Sequence, residues 1–355
     1  MSSITVVLGI LLLVLVMTDV LVTTLTVGGG GPLTSRLSRW IWRIALRIHQ
    51  WRSNHRFLSV AGWIILVSTV LLWFAFIFVG WTLIFSTTGL EVVNASTKQP
   101  ATTWETIYFV GYTLTTLGIG DYQPQGTVWQ LATSVASANG FVMVSLAIAY
   151  LLPVVSAATQ KRQLAVYISS LGGTPDEIIT RAWNGKNFGQ FDQHLISLSP
   201  QVALQGEQHL TYPILHYFHS RERSRTLILS LIALDEALTL LQYGVKPSSR
   251  PDLAALGSIR RTNTAFLKTL SSAYIEPASE NPPPPPLNLL RSKEIPVVSD
   301  EEFWDAIKPL THRRRLLLAL AHEDGWTWDS VASTLTTNRA TSLDDQTLVN
   351  HVILH

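Results

Sequence analysis

Three long apolar runs, Ile4 to Val27, Phe57 to Phe85 and Val128 to Leu152, stand out because charges are nearly excluded from them. The second run holds no charge, the first holds only Asp19, and the third lies between Asp121 and Lys161. At about 1.5 Å per helical residue each is long enough to cross a hydrocarbon core of about 30 Å, so the pattern predicts three transmembrane helices. The third run is less uniform. Gln130, Thr133, Ser134, Ser137 and Asn139 fall in its outer half, which suits a helix lining an aqueous cavity and has little use on a lipid-facing one. The first run also fits a signal peptide, but no basic residue precedes its apolar core and Asp19 interrupts it. For Asp19 a structural role is expected, with water or an arginine of the next segment as its partner.

Between the first two runs, Gly28-Gly29-Gly30-Gly31-Pro32 reads as a helix terminator and flexible joint. From Ser35 to Arg56 the arginines at 36, 39, 43 and 47 step by three and four along one helical face, and Arg52 and Arg56 bring the total to six. Ile41, Trp42, Leu46 and Trp51 occupy other faces. A basic helix interleaved with tryptophans fits the membrane interface, and its arginines mark the cytoplasmic side. That orientation puts the N-terminus outside and makes this a multi-pass protein of the cell (inner) membrane. A voltage sensor also carries spaced arginines, but this stretch is short, contains His49 and lacks the extra flanking spans.

Composition divides the chain into membrane and soluble parts. Of 355 residues 47 % are hydrophobic and 14 % charged, with a net charge of +2 that gives no argument for nucleic acid. Cysteine is absent, which removes disulfides, thiolate metal sites and thiol nucleophiles. From Val154 onward the pattern is charged and amphipathic, predicting an α-helical cytoplasmic domain. Thr174-Pro175-Asp176-Glu177 opens one helix with an N-cap, a first-turn proline and a capping box. Further helices are expected at Gln190–Leu198, Glu207–Ser220, Arg225–Tyr243 and Asp252–Ala273. No alternating strand pattern or G-x-G-x-x-G follows, which argues against a nucleotide-binding regulatory domain, and the gating ligand or partner stays unidentified.

His209, His216 and His219, with Asp235 and Glu236 on a later helix, allow a divalent-metal site, though packing and hydrogen bonding account for them more simply. Arg221, Arg223 and Arg225 read as a solvated turn. Five prolines between Asn281 and Leu287 form a stiff spacer, or less readily a docking motif for SH3-like partners. A helix from Asp300 to His322 should bend at Pro309, with Arg313, Arg314 and Arg315 as a solvated or lipid-facing patch. A shorter helix, Thr327 to Leu335, and a polar tail follow. No nucleophile-base pair or phosphate loop marks an enzyme, and no cofactor is expected. The divisions are thus 1–56, first span and basic helix; 57–156, pore domain; 157–280, helical cytoplasmic domain; 281–299, proline-rich linker; and 300–355, C-terminal helical segment.

The stretch from Thr113 to Pro124, TLTTLGIGDYQP, is where chemistry concentrates. In Thr116-Leu117-Gly118-Ile119-Gly120 the glycines alternate with side-chain residues, so positive φ is cheap at every second position and successive carbonyls turn the same way. Ahead of it, Thr102 and Glu105 form a capping box, and Trp104, Tyr108, Phe109 and Tyr112 recur at helical spacing, predicting a short helix whose carbonyl end carries partial negative charge. A plain Gly-Asp turn between a buried helix and a span is the alternative, yet irregular backbone at membrane depth needs protein or water around it.

From Trp104 to about Pro153, and most strongly from Thr116 to Asp121, the sequence resembles the potassium-channel family, whose signature is written T-V-G-Y-G-D. The resemblance implies a re-entrant pore loop in a mainly α membrane protein, and a homotetramer whose four loops hold K+ on the carbonyls of Thr116, Leu117, Gly118, Ile119 and Gly120. It further implies that Asp121 concentrates cations at the outer mouth, besides capping the turn after the filter. Gly140 is then either a gating hinge or a close-packing residue. Pro153 is a second hinge candidate or, more simply, the end of the inner helix. Leu117 in place of Val is nearly neutral. Ile119 in place of Tyr removes a hydroxyl that in the family bonds to the pore helix, so a weakly selective Na+/K+ pore is the second reading. A non-conducting membrane receptor or scaffold is the third.

Overall fold

The computed structural model describes residues 2–28, 30–52, 55–271 and 275–332. By its internal contacts the chain forms two compact units: Met1–Ile44, Ala61–Ser156 and Thr211–Tyr217 in the first, and Ala45–Val60, Ala157–Leu210 and Phe218–His355 in the second. In chain order the first helices are α1 (Ser2–Leu25), α2 (Pro32–Arg52), α3 (His55–Ile84), α4 (Thr103–Leu114) and α5 (Thr127–Leu171). α1 and α3 cover the first two apolar runs. α5 extends well beyond the third, because its sequence past Leu152 turns amphipathic without any stop signal other than Pro153.

Pro153 does not end the helix. It lies inside α5, which continues to Leu171. A mid-helix proline forfeits one backbone hydrogen bond, but the turns around it are anchored by the buried Tyr150 and Val154, and neighbouring helices tolerate such prolines in membrane segments.

The joint between α1 and α2 is built on Asp19, which is fully buried. Its carboxylate receives Leu33 N–H at 2.7 Å, Thr34 N–H at 3.3 Å, the Thr34 hydroxyl at 2.6 Å and the Trp73 indole N–H at 2.8 Å. Leu33 and Thr34 are in the first turn of α2, so Asp19 serves as an N-cap supplied from another helix, where an anion also meets the positive end of the helix dipole. The partners found are thus the first turn of α2 and Trp73, rather than an arginine of the following segment. Gly31 is required beside it, since a Cβ there would stand 2.2 Å from Asp19 Oδ1. The exposed face of α2 carries Arg36, Arg39, Arg43 and Arg47, while Thr34, Ser38, Trp42 and Ala45 are buried, as an amphipathic pattern demands.

Two short strands lie in the first unit. β1 (Val92–Asn94) pairs antiparallel with β2 (Tyr122–Pro124), with Val93 opposite Gln123. This pairing was not readable from three-residue segments, and it fastens the loop after α3 to the residues that follow the Gly-rich stretch.

The second unit is helical: α6 (Pro175–Ala182), α7 (Phe191–Thr211), α8 (Leu227–Thr239), α9 (Leu253–Ser271), α10 (Asn288–Ser292), α11 (Asp300–Ile307), α12 (Thr311–Glu323) and α13 (Asp329–Ala332). α6 starts as its sequence requires, with the Thr174 hydroxyl accepting Glu177 N–H at 3.3 Å. The expected helix Glu207–Ser220 is instead split: α7 runs through Pro200 to Thr211, and Pro213 opens a 3-10 turn to Tyr217. Pro309 bends the Asp300–His322 segment as expected, through a 3-10 turn at Lys308–Leu310. The helix expected at Thr327–Leu335 is described only as far as α13, and the tail beyond residue 332 lies outside the described residues, as does the end of the Asp252–Ala273 helix.

Among the described residues four helices are long and apolar enough to cross a membrane: Ile4–Leu25, His55–Ile84, Thr127–Leu171 and Leu227–Gly244. The fourth, which contains α8, is 89 % buried and forms the core helix of the second unit, where an all-round apolar helix belongs. Its two acids are paired with arginines that the sequence had placed on the surface. Asp235 accepts Arg313 Nε–H at 2.8 Å and Asn263 Nδ2–H at 2.8 Å, and pairs with Arg260 at 3.0 Å. Glu236 is gripped by Arg314 through two bonds of 2.9 Å. Burial pushes the Asp235 carboxyl up, but Arg313 and Arg260 outweigh it and hold the group below the usual carboxylate range; for Glu236 burial prevails and the carboxyl sits above it.

The residues expected as a linker, 281–299, do not separate two bodies. Arg314 also donates to Pro282 O at 3.1 Å and Pro283 O at 2.6 Å, and Leu287, Leu290, Ile295 and Val298 lie in the same apolar cluster as α8 and α12. The proline run is stiff and lacks N–H donors, so its carbonyls are available to satisfy a buried guanidinium. Arg315 bonds the Ala278 carbonyl. The expected basic patch at 313–315 is thus an internal clamp. Arg223 likewise donates to Ser330 O at 2.6 Å, while Arg225 and Glu222 form an exposed pair as a solvated turn would.

Candidate functional site

α4 is set up by its cap. Glu105 N–H reaches the Thr102 hydroxyl at 3.4 Å, and Glu105 Oε2 accepts Thr102 N–H at 2.7 Å. The buried residues Thr106, Phe109, Val110, Tyr112, Thr113 and Leu114 fix its inward face. At its C-terminal end Thr115 N–H bonds Gly111 O, Thr116 N–H bonds Thr113 O, and Leu117 N–H bonds Tyr112 O at 2.8 Å. The chain then leaves the helix with φ of +57° at Thr116, +62° at Gly118 and +88° at Gly120, whereas Leu117 and Ile119 keep negative φ. Handedness therefore alternates residue by residue, which turns successive carbonyls toward one side. Among the described residues no hydrogen bond ends on the carbonyls of residues 116 to 120. The stretch from Thr115 to Asp121 is exposed in the single chain, including Leu117 at 66 % and Ile119 at 45 %.

A threonine in the left-handed region costs of order 1–2 kcal/mol, and such strain is retained where the surroundings over-determine it. The surroundings here are a polar frame behind the loop. Tyr112 donates from its hydroxyl to Tyr122 O at 2.5 Å, Tyr122 donates to Glu105 Oε1 at 2.5 Å, and Tyr108 reaches Asp121 Oδ2 at 3.5 Å. Ala95 N–H bonds Asp121 O at 2.9 Å, and Gln125 N–H bonds Glu91 O at 2.8 Å. Glu91 is buried and accepts the Thr88 hydroxyl at 2.8 Å. Sequence reading missed Tyr122 and Glu91. The signal was present in three tyrosines placed one helical turn apart on α4 and just past the glycines, but its meaning needed the β1–β2 pairing.

Gly140 lies where α5 crosses the end of α4. A Cβ there would stand 2.0 Å from Leu114 O, so the position is one of close backbone approach, as small residues allow between membrane helices. The polar residues of the inner run divide. Thr133 and Ser134 bond back to the carbonyls of Trp129 and Gln130, while Asn139, expected on a cavity wall, accepts the Trp81 indole N–H at 3.1 Å and contacts Met17 Sδ at 3.2 Å. It joins helices because its amide has both a donor and an acceptor to place in an apolar setting.

The histidines do not converge on a metal. His209 bonds Gln205 O at 2.8 Å and packs on Phe266, His216 lies tilted beside Trp42 in the first unit, and His219 belongs to the second. Among the described residues no group of three His, Asp or Glu side chains is placed to hold a metal ion.

Comparison with known proteins agrees with this geometry. A family model described as "Ion channel" matches residues 66–157, the interval that holds α4, the glycine-rich loop and the first part of α5. The chain is 36 % identical over 321 residues to a Bacillus subtilis (strain 168) protein called an uncharacterized membrane protein, YdjJ, covering 90 % of this chain and 94 % of that one. No solved structure matches. With a capped pore helix, a loop of alternating backbone handedness and a matching channel domain around them, the chain belongs to the pore-loop potassium channel family.

Proposed function

We propose that the protein is a potassium-selective channel, a homotetramer in which four copies of Thr116-Leu117-Gly118-Ile119-Gly120 hold dehydrated K+ on their main-chain oxygens. The observation that carries this reading is the alternating φ of residues 116 to 120 together with carbonyls that accept no hydrogen bond among the described residues. Oxygens left without donors at membrane depth need a cation or water. A single chain leaves Leu117 and Ile119 exposed beside them, and closure of a ring would cover these side chains. Asp121, exposed and with its carbonyl accepting Ala95 N–H, would add negative charge at the mouth. In this reading α1, α3 and the first part of α5 are the three spans, and the arginines of α2 support a cytoplasmic second unit. The protein is assigned no catalysis.

In liposomes containing the purified protein, a K+ gradient should dissipate, and Gly118→Ala or Gly120→Ala should abolish the flux because alanine is strained at φ of +62° and +88°. Equal flux in wild type and both variants would overturn the reading. The second reading, a pore passing Na+ and K+ alike, is favoured by one observation, the apolar side chain at Ile119. A reversal potential near zero under opposed K+ and Na+ gradients would select it.

A further inference from the structure

The second unit contains a group of titratable side chains that conduction does not use. His49, near the end of α2, and His55, at the start of α3, have ring centroids 4.5 Å apart. His55 lies nearly parallel to His219, 5.1 Å away at 8°, and over Trp326 at 4.3 Å, which also covers His219. His55 Nδ1 and His219 Nε2 are 3.0 Å apart, so one ring donates and the other accepts. His219 Nδ1 is 3.4 Å from Asp324 Oδ1, and both side chains are buried. Lys161 of α5, also buried, donates to Phe218 O at 2.9 Å and interacts with Asp324.

Packing alone is a poor explanation of this arrangement. Among the described residues His49 Nδ1 and Trp326 Nε1 are buried without a hydrogen-bond partner, and His219 Nδ1 has only the 3.4 Å approach to Asp324; native interiors retain few such atoms without a functional reason. The rings face one another rather than a common centre, so they do not form a metal site. Their contacts do depend on charge. A hydrogen bond between two imidazoles requires one neutral acceptor nitrogen. When both rings carry a proton the bond is lost and two cations face each other, with a third histidine and Lys161 nearby and Asp324 as the anion beside them. Burial, with His219 and His49 beside it, holds the His55 imidazole down to about 4, so both rings of the bonded pair carry a proton only in acid.

We propose that His49, His55, His219 and Asp324 form a proton-operated latch. With the imidazoles neutral, the stacked rings clasp the end of α2 and the start of α3 to the segments at 219 and 324–326; acidification opens the clasp. Since α3 leads into the pore domain, the latch places proton control at the base of an outer helix, and only this consequence for flux rests on the channel reading.

Hydrogen exchange of the full-length protein in lipid nanodiscs, corrected for the intrinsic pH dependence, tests the latch from about pH 7.5 down to the value of about 4 at which His55 takes its proton. Peptides covering residues 45–60 should lose protection on acidification, by up to about tenfold per pH unit for each proton taken up. His219→Gln, which keeps a hydrogen-bonding side chain without an imidazole, should hold the same protection at both pH values. Asp324→Asn removes the carboxylate that favours an imidazolium and should move the midpoint to lower pH, which decides the matter if the glutamine variant is unprotected throughout. Unchanged protection in the wild type, or an Asp324→Asn midpoint that stays or rises, would overturn the proposal. A switch in exchange without K+ flux at any pH would leave the latch standing and remove the channel assignment.

Discussion

Asp19 receives four donors from two other segments, so Asp19→Ala leaves an indole N–H, a hydroxyl and two backbone N–H groups unmet inside the first unit. Each unsatisfied buried group costs about 1–3 kcal/mol, and the variant should lower the melting temperature in detergent sharply, with Asp19→Asn, which retains one acceptor oxygen, falling between. Tyr122 is the other residue with a specific expectation. Tyr122→Phe loses a bond to a carboxylate, and so loosens the polar frame around the glycine-rich loop. Under the channel reading its K+ to Na+ permeability ratio should fall while flux persists, and Glu105→Gln should give a smaller change in the same direction. A ratio equal to wild type in both would remove the frame from the account of selectivity.

At the scale of elements, α8 shows how much a local pattern conceals. Its apolar run and adjacent acids are plain in the sequence, and so are the three arginines of α12, yet Arg314 and Glu236 are 78 residues apart, and nothing local pairs them. The histidine latch was hidden for the same reason, since His55 and His219 are 164 residues apart. By contrast, the cap of α4, the bend at Pro309 and the loop of alternating glycines are local devices and were legible from neighbours alone. The ion pairs of α8 have distinct expectations. Asp235 sits below the ordinary carboxylate range, so its contribution is present above that range and lost as pH falls through its lowered value. Glu236 sits above the range because burial opposes its ionisation, so neutralising it forfeits less. Asp235→Asn should therefore cost more than Glu236→Gln, with breakage of the buried Asp235 network costing about 3–5 kcal/mol, and it should flatten the acid limb of the pH–stability curve. Thermal denaturation of both variants from neutral pH downward checks the order.

At the scale of the whole molecule, the cysteine-free sequence allows topology to be read with single thiols. Ser96→Cys, in the exposed turn after β1, should react with an impermeant maleimide on intact cells. Ser292→Cys, exposed at the end of α10, should react only after permeabilisation. Labelling of both from outside would reverse the orientation proposed from the arginines of α2. The native mass in detergent should be about four times the 39.4 kDa chain once bound detergent is subtracted, and a monomer or dimer there would leave the carbonyl ring incomplete.

The approach of Gly140 to the Leu114 carbonyl bears on how such a pore moves. With no side chain between them, the inner helix cannot roll at this level without dragging the end of the pore helix along. Under the channel reading, the upper part of α5 and α4 would therefore move together, and a swing that widens the passage would take place farther along α5, toward Pro153. Ion coordination would then be insulated from the opening motion, and a bulky residue at 140 should reduce K+ to Na+ discrimination before it alters opening.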